Sequence, residues 1–469
     1  MFEPSNVIEV DMENNASITI KNFKSYKDAT LPLSPLTLLI GANASGKSNA
    51  IEAFRFLSWV AGGERLSTLK NRVNDSDKVV RGSIIDLAFN HEDSFSLSFN
   101  LTPDISYSGI FLNENMKLHL TGETYQEKEK KVFFYRSSEY TALALRYFNA
   151  SASELIKLTS IETILKLDEK ENNEIFQKIS DSEVSVYFPE QDSSVLSMKD
   201  WLYIFLWRGF YDHAEVNPKN TDSFDNLANF LTNTFFYDFV PSSMRQDSIK
   251  DSVFNNSGSN LAGVLSYLCE ERLEYKGKIL GLVQSLPEQD ITDIKFYIDK
   301  RDRVEFLLCE SFGDVSVERT MDLLSDGTLK VLGIAAALLS VPKGSTVVIE
   351  EIDNSIHPTR AHQILSLMRQ YAEERNLNLL LSTHNPALMD ALPDEALADV
   401  VFCYRDPKEG DSKLVRLGDL DDYLGLVAQG TLGDLVTQGI VERFIKHPTT
   451  SEQRKQQVLS WLNQLQGAD

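Results

Sequence analysis

Cysteine is scarce in this sequence: Cys269, Cys309 and Cys403 are the only three in 469 residues, far apart and without a CxxC pair. An odd, scattered set argues against a disulfide framework or a zinc site, and fits a reducing cytosol. Basic residues are short relative to acidic ones, 46 Lys and Arg against 69 Asp and Glu, giving a formal net charge of −23. A chain this acidic does not hold nucleic acid by overall attraction, so any such contact needs a local basic patch or a basic partner. Long apolar runs are missing as well. The longest, Val331 to Val341, is about half of the roughly 20 residues that a membrane span needs, and it reads as a buried helix. Met1-Phe2-Glu3-Pro4 opens no basic stretch running into an apolar one, so neither a signal peptide nor a membrane partner is expected and the chain reads as cytoplasmic.

What is present is ordinary for a globular chain: 42% hydrophobic, 25% charged and 10% aromatic residues, with 23 Gly and 14 Pro. The length suits about three domain-sized units, or one nucleotide-binding core carrying large insertions. Ala16 to Lys21 alternates polar and apolar residues, as a half-buried strand does, whereas Leu36-Thr37-Leu38-Leu39-Ile40 is a continuous run suited to a strand covered on both faces. Beyond a glycine-rich loop, Ile51, Phe54, Leu57 and Trp59 recur near helical spacing. Ile84 to Phe89, Phe95 to Leu101, Leu118 to Leu120 and Val132 to Tyr135 are short runs split by turn residues, which predicts a small antiparallel sheet. Ala142 to Leu286 reads as mostly helical, without sustained heptads or an internal repeat. After strands at 294–298, 304–309 and 315–317, helix and strand alternate to about Tyr404, the pattern of a mainly parallel sheet with helices on both faces.

Four segments carry chemistry. Gly41-Ala42-Asn43-Ala44-Ser45-Gly46-Lys47-Ser48 satisfies G-x-x-x-x-G-K-[ST] between a strand and a helix. Glycines let backbone N–H groups curl around phosphates, the helix N-terminus adds partial positive charge, Lys47 reaches the β and γ phosphates, and Ser48 ligates Mg²⁺. Thr346-Val347-Val348-Ile349-Glu350-Glu351 ends an apolar strand in carboxylates, where Glu350 holds the metal's water shell and Glu351 takes a proton from the attacking water. Leu324-Ser325-Asp326-Gly327-Thr328 opens a helix with Ser325 as its cap and forms an anion site. Leu379 to Pro386 delivers His384 to a strand end. Taken singly, the last three also suit a solvated strand end, a capped turn and a structural histidine.

The order of the four resembles the ABC-type ATPase head of the SMC and RecF-like branch. Ile20-Lys21-Asn22-Phe23-Lys24-Ser25-Tyr26 and Asn260 to Leu265 add resemblance to stand-alone ATPases of bacterial antiphage systems, such as those of Septu and PARIS and the N-terminal part of OLD-family nucleases. This resemblance implies an α/β fold: a P-loop head of mixed sheet with an antiparallel β subdomain and a helical insertion. Its parts are an N-terminal ATPase lobe at 1–140, the insertion at 141–288, a C-terminal ATPase lobe at 289–405 and a helical tail at 406–469. It implies ATP and Mg²⁺ as cofactors, with Asn43, Ser45, Gly46, Lys47, Ser48 and Asn49 around the phosphates and Ser48 and Glu350 at the metal. Glu351 becomes the base and His384 a sensor of the γ-phosphate. Ser325 and Gly327 contact the γ-phosphate held by a second subunit, and Asn354 to Pro358 lie at the interface, so one ATP bridges two chains in a homodimer or higher homo-oligomer. Two departures stand out: Glu350 occupies a position where Asp is usual, and no glutamine loop can be assigned.

Three functions compete. The favoured one is a dimer-forming ATPase that controls a separate effector protein, a nuclease or toxin, in antiphage defence, because only a short tail follows the head. Asp419-Leu420-Asp421-Asp422 is a weak candidate for a nuclease cluster and better suits a solvated turn. The second is a repair or chromosome-maintenance ATPase that touches DNA through Lys70 to Arg81 or Arg443 to Lys446, against which the charge of −23 counts. The third is a nucleotide switch with negligible turnover, against which Glu351 counts.

Overall fold

A computed structural model describes residues 16–63, 66, 69, 79–114, 117–127, 130–135, 143–147, 185–187, 222–271, 273–284, 290–312, 315–352 and 361–446. The fold is α/β, with mixed and antiparallel sheets and helices. The chain divides into two compact units, one formed by residues up to Leu31 and Glu52–Thr232, the other by Pro32–Ile51 and Asn233 onward.

The first unit is built on an eight-stranded sheet. Its strands are β1 (Ala16–Phe23), β2 (Tyr26–Leu33), β4 (Ser94–Thr102), β5 (Ile105–Glu114), β6 (Lys117–Glu127), β7 (Lys130–Tyr135), β8 (Leu143–Tyr147) and β9 (Ser185–Tyr187), in the order β2-β1-β4-β5-β6-β7-β8-β9. Strand β4 buries every second residue, so Phe95, Leu97, Phe99 and Leu101 all face one way. Phe56, from the helix Lys47–Ala61, meets Phe111 edge-on at 5.0 Å, and Phe99 stacks on Phe230 at 4.8 Å. The run Ile84 to Phe89, expected as a strand, is a 3-10 turn over Ile84–Leu87. The Asp86 carboxylate accepts from both Ser83 N (2.8 Å) and Ser83 Oγ (2.7 Å), and this local bonding overrides the β-like pattern.

The second unit holds a six-stranded sheet of β10 (Thr234–Tyr237), β15 (Thr346–Ile349), β16 (Asn378–Thr383), β3 (Leu36–Ile40), β17 (Val401–Arg405) and β18 (Ser412–Arg416), in that spatial order. All neighbours are parallel except β17 and β18. All four residues of β15 are buried, as are all but the first of β16 and β3, which accords with their largely apolar sequences. A smaller antiparallel sheet consists of β11 (Ser248–Ile249), β12 (Ile291–Ile298), β13 (Arg303–Phe312) and β14 (Val315–Thr320). Helices Leu261–Glu271, Leu273–Val283, Asp326–Ser340 and Ala361–Arg375 supply most of the remaining core.

This partition differs from the one expected across 141–288. Residues 233–288 fall in the second unit, and Thr234–Tyr237 is a strand paired in register with β15, Tyr237 opposite Ile349. Thr-Phe-Phe-Tyr is a strand-forming run whose burial needs a sheet partner, and β15 supplies it. Strands β8 and β9 likewise fall inside that span, and helix Asp222–Thr232 belongs to the first unit. Most of 148–221 lies outside the described residues.

Candidate functional site

Register brings three of the four motifs to one edge of the parallel sheet. Ile40 of β3 stands opposite Thr383 of β16 and Phe402 of β17, while Ile349 of β15 stands opposite Leu381. The phosphate loop after Ile40, Glu350-Glu351 after Ile349 and His384 after Thr383 therefore leave the sheet within two residues of one another along the strands. One strand, β16, separates β15 from β3, so the carboxylates and the loop stand about 10 Å apart across the edge, room for a phosphate and a water. The chain passes from β16 over β3 to β17, making β3 the point where strand order reverses, the place where α/β sheets bind ligands.

The loop itself needs its glycines. Gly41 has φ +145° and Gly46 φ +122°; a Cβ on Gly41 would lie 2.2 Å from the Cys403 carbonyl oxygen. Ala44 also has positive φ, 61°. Ser45 N donates to Ala42 O (3.2 Å), and Ala50 N to Gly46 O (3.0 Å) at the start of helix Lys47–Ala61. The Lys47 ammonium folds over the loop and donates to Gly41 O (2.6 Å) and Ala42 O (3.0 Å). Ser45 Oγ is buried without a hydrogen-bond partner in the chain. A cationic Nζ within the loop, glycine-dependent backbone and an orphaned hydroxyl together fit a polyphosphate. Ser48 and Glu350 offer the hard oxygen donors that Mg²⁺ takes.

Glu351 has φ +47°, an uncommon conformation for a residue with a side chain. Ser382 holds it there: its Oγ accepts from Glu351 N (3.0 Å) and its carbonyl from Ile352 N (3.1 Å). Glu350 N donates to Tyr237 O (3.0 Å), so β10, the strand found within the expected insertion, fixes the start of the acidic pair. His384 is exposed and follows Thr383, whose Oγ1 accepts from Asn385 N (3.0 Å).

The Leu324–Thr328 segment is shaped locally. Ser325 caps helix Asp326–Ser340, its Oγ accepting from Thr328 N (3.1 Å) and lying 2.8 Å from Thr328 Oγ1. Arg245 Nη2 donates to Leu324 O (2.9 Å) and Asp326 Oδ1 (2.6 Å), tethering the segment from outside. Among the described residues, no hydrogen bond joins Ser325 or Gly327 to the phosphate loop. Asn354 to Pro358 lie outside the described residues.

The minor candidates resolve into structural roles where they are described. Asp419 pairs with Arg416 (3.3 Å), and Asp422 caps helix Tyr423–Val427 by accepting from Gly425 N (3.2 Å). Arg81 pairs with the buried carboxylate of Glu52, as does Lys24, whose ammonium is pushed down by burial despite that partner. Lys446 pairs with Glu442, and residues 70–78 lie outside the described set. Arg245, Cys403, Arg405 and Ser412 were not signalled by any motif, and Ser382 lay within the Leu379 to Pro386 motif without a role of its own.

The sequence profile of the family described as "AAA domain, putative AbiEii toxin, Type IV TA system" matches residues 36–390. Among known proteins, the methionine import ATP-binding protein MetN 2 of Shouchella clausii (strain KSM-K16) is 28% identical over 126 residues, 26% of this chain and 33% of that protein. Structural maintenance of chromosomes protein 1 of Arabidopsis thaliana is 38% identical over 90 residues, 18% of this chain and 7% of that protein. The chain therefore spans a third or less of the length of these relatives. Among solved structures, an SMC head bound to the C-winged helix domain of ScpA aligns at a TM-score of 0.41 and 14% identity, covering 85% of this chain and 96% of that one.

Proposed function

Because the chain belongs to the family described as "AAA domain, putative AbiEii toxin, Type IV TA system", we propose that it binds and hydrolyses ATP between two copies of itself and so controls a separate effector protein. The observation that carries the reading is the single sheet edge bearing Lys47 and its loop, Glu350 with Glu351, and His384. Asn43, Ser45, Gly46, Lys47 and Asn49 would surround the phosphates, while Ser48 and Glu350 would hold Mg²⁺, which would supply charge neutralisation there. Glu351 accepts a proton from water, and the Ser382 hydroxyl holds its backbone at the strand end. His384 senses the γ-phosphate, and Ser325 and Gly327 of a second copy complete the site.

An effector in antiphage defence is the finer part of the proposal. The family description names a toxin of a toxin–antitoxin system, which by its nature has two components, and the charge of −23 suits a basic protein partner. Direct action on DNA is the second reading, favoured by the stretch similar to a chromosome-maintenance protein and disfavoured by the charge.

Glu351→Gln tests the central step. The variant should bind ATP, lose at least about 100-fold in turnover because a positioned base contributes on that scale, and accumulate as an ATP-bound dimer in light scattering. Turnover equal to that of the unaltered chain would remove Glu351 from the mechanism.

A further inference from the structure

The β17–β18 hairpin lies beyond residues 36–390, the span matched by the family, and carries no motif, yet it grips the phosphate loop from behind. Ser412 Oγ donates to the Ser45 carbonyl at 2.6 Å, and Cys403 Sγ donates to the same oxygen at 3.3 Å. Both donors have 0% exposure and Ser45 has 4%, so water does not compete for this carbonyl. Arg405 adds a longer bond from Nε to Ala44 O (3.4 Å). The hairpin backbone also packs directly on Gly41, whose Cα leaves no room for a side chain beside Cys403 O.

A trans peptide is planar, and its C=O and N–H point in opposite directions. The oxygen held by Ser412 and Cys403 belongs to the peptide whose N–H is that of Gly46. Fixing the one aims the other away from the hairpin. The Ser45–Gly46 peptide lies between two residues of positive φ, Ala44 at +61° and Gly46 at +122°, the first uncommon for a residue with a side chain. The Ser45 hydroxyl takes no share in the restraint; buried and without a partner in the chain, it remains for a ligand oxygen.

We propose that Ser412 and Cys403 are positioning residues for nucleotide: by anchoring the Ser45 carbonyl from the hairpin they aim the Gly46 N–H toward the phosphates and hold the loop in its binding conformation before ATP arrives. This rests on the ATP reading of the loop and concerns residues that need never touch ATP. Preorganisation of this kind lowers the ordering cost of binding and acts equally on ground and transition states. Its signature is a raised KM at unchanged kcat.

The test is titration of the full-length chain with a fluorescent ATP analogue and Mg²⁺, alongside steady-state ATPase assays and thermal melts, for S412A, C403A, the double variant and the conservative C403S. S412A should weaken analogue binding about tenfold, the scale of one lost buried hydrogen bond, and raise KM with kcat unchanged. C403A should cost a few-fold, because a thiol is a weak donor, while C403S restores binding by supplying a hydroxyl to the same carbonyl. A purely structural role would lower the melting temperature and the active fraction, hence apparent kcat, without moving KM. Unchanged affinity in S412A and in the double variant would overturn the brace and leave the ATP reading standing. Failure of the unaltered chain to bind the analogue would overturn the ATP reading and the brace with it.

Discussion

Replacing Gly41 by alanine should damage this protein in a way that a second glycine replacement, Gly344→Ala, does not. At Gly41 the added methyl meets Cys403 O at 2.2 Å and Ser45 Oγ at 3.0 Å, with φ at +145°. The first obstacle is backbone, so no rotamer change relieves it; the Cβ and the carbonyl must separate by about 0.8 Å to reach even a tight contact of 3.0 Å. The residue just before, Ile40, pairs with Phe402, the residue just before Cys403, so the separation either opens the β3–β17 pairing or flips the loop. The conformational penalty is about 1–3 kcal/mol and the forced overlap a further 1–3, in all about 2–6 kcal/mol against a domain stability of roughly 5–15. If the loop absorbs even 2 kcal/mol by leaving its binding conformation, ATP affinity falls about 30-fold. Gly344 also has positive φ, +78°, but a Cβ there meets nothing within 4 Å, so its alanine variant carries only the conformational cost, about 1–2 kcal/mol, and no change in ATP affinity. Parallel ATP titrations and thermal melts of the two variants decide the matter. G41A binding ATP within twofold of the unaltered chain, with a melting temperature no lower than that of G344A, would refute the role given to the close approach of Gly41 and Cys403.

Two further outcomes follow from buried groups away from the site. Arg375, 7% exposed, donates to Leu339 O and Val341 O at the end of helix Asp326–Ser340 and to Tyr275 Oη (3.2 Å), so Arg375→Met orphans two buried carbonyls at a cost of about 2–5 kcal/mol. The melting temperature should fall by several degrees with the ATP KM unchanged, and a fall under about 2 °C would contradict this. Burial pushes the Cys269 thiol from an ordinary 9.0 up to about 11, so the folded chain keeps its proton where the unfolded chain loses it. Stability contributed by this thiol is present below pH 9 and lost as pH rises toward 11, and iodoacetamide at pH 8 should label Cys269 far more slowly in the folded than in the unfolded protein, read by mass spectrometry. Fast labelling in the folded state would count against it.

The sequence by itself determined the parts whose logic is local. Leu36–Ile40, Gly41 to Ser48 and helix Lys47–Ala61 are legible because a covered strand, a glycine loop and an apolar helical face each leave a pattern within about a dozen residues. Ser325 as a cap is legible for the same reason, since its partner Thr328 is three residues away. Tertiary structure alone decided how these pieces meet. The strand character of Thr234–Tyr237 was hidden in a span that reads as helical until β15 paired with it, and the Ser382 bond that holds Glu351 crosses 31 residues. The donors that hold the phosphate loop lie 358 and 367 residues from the carbonyl they bind. No periodicity records such a bond, because a buried serine at the start of a half-exposed strand has the same local sequence whether or not a loop carbonyl lies above it. Pairing of strands distant in the chain creates the acceptor, and only then does the hydroxyl have a function.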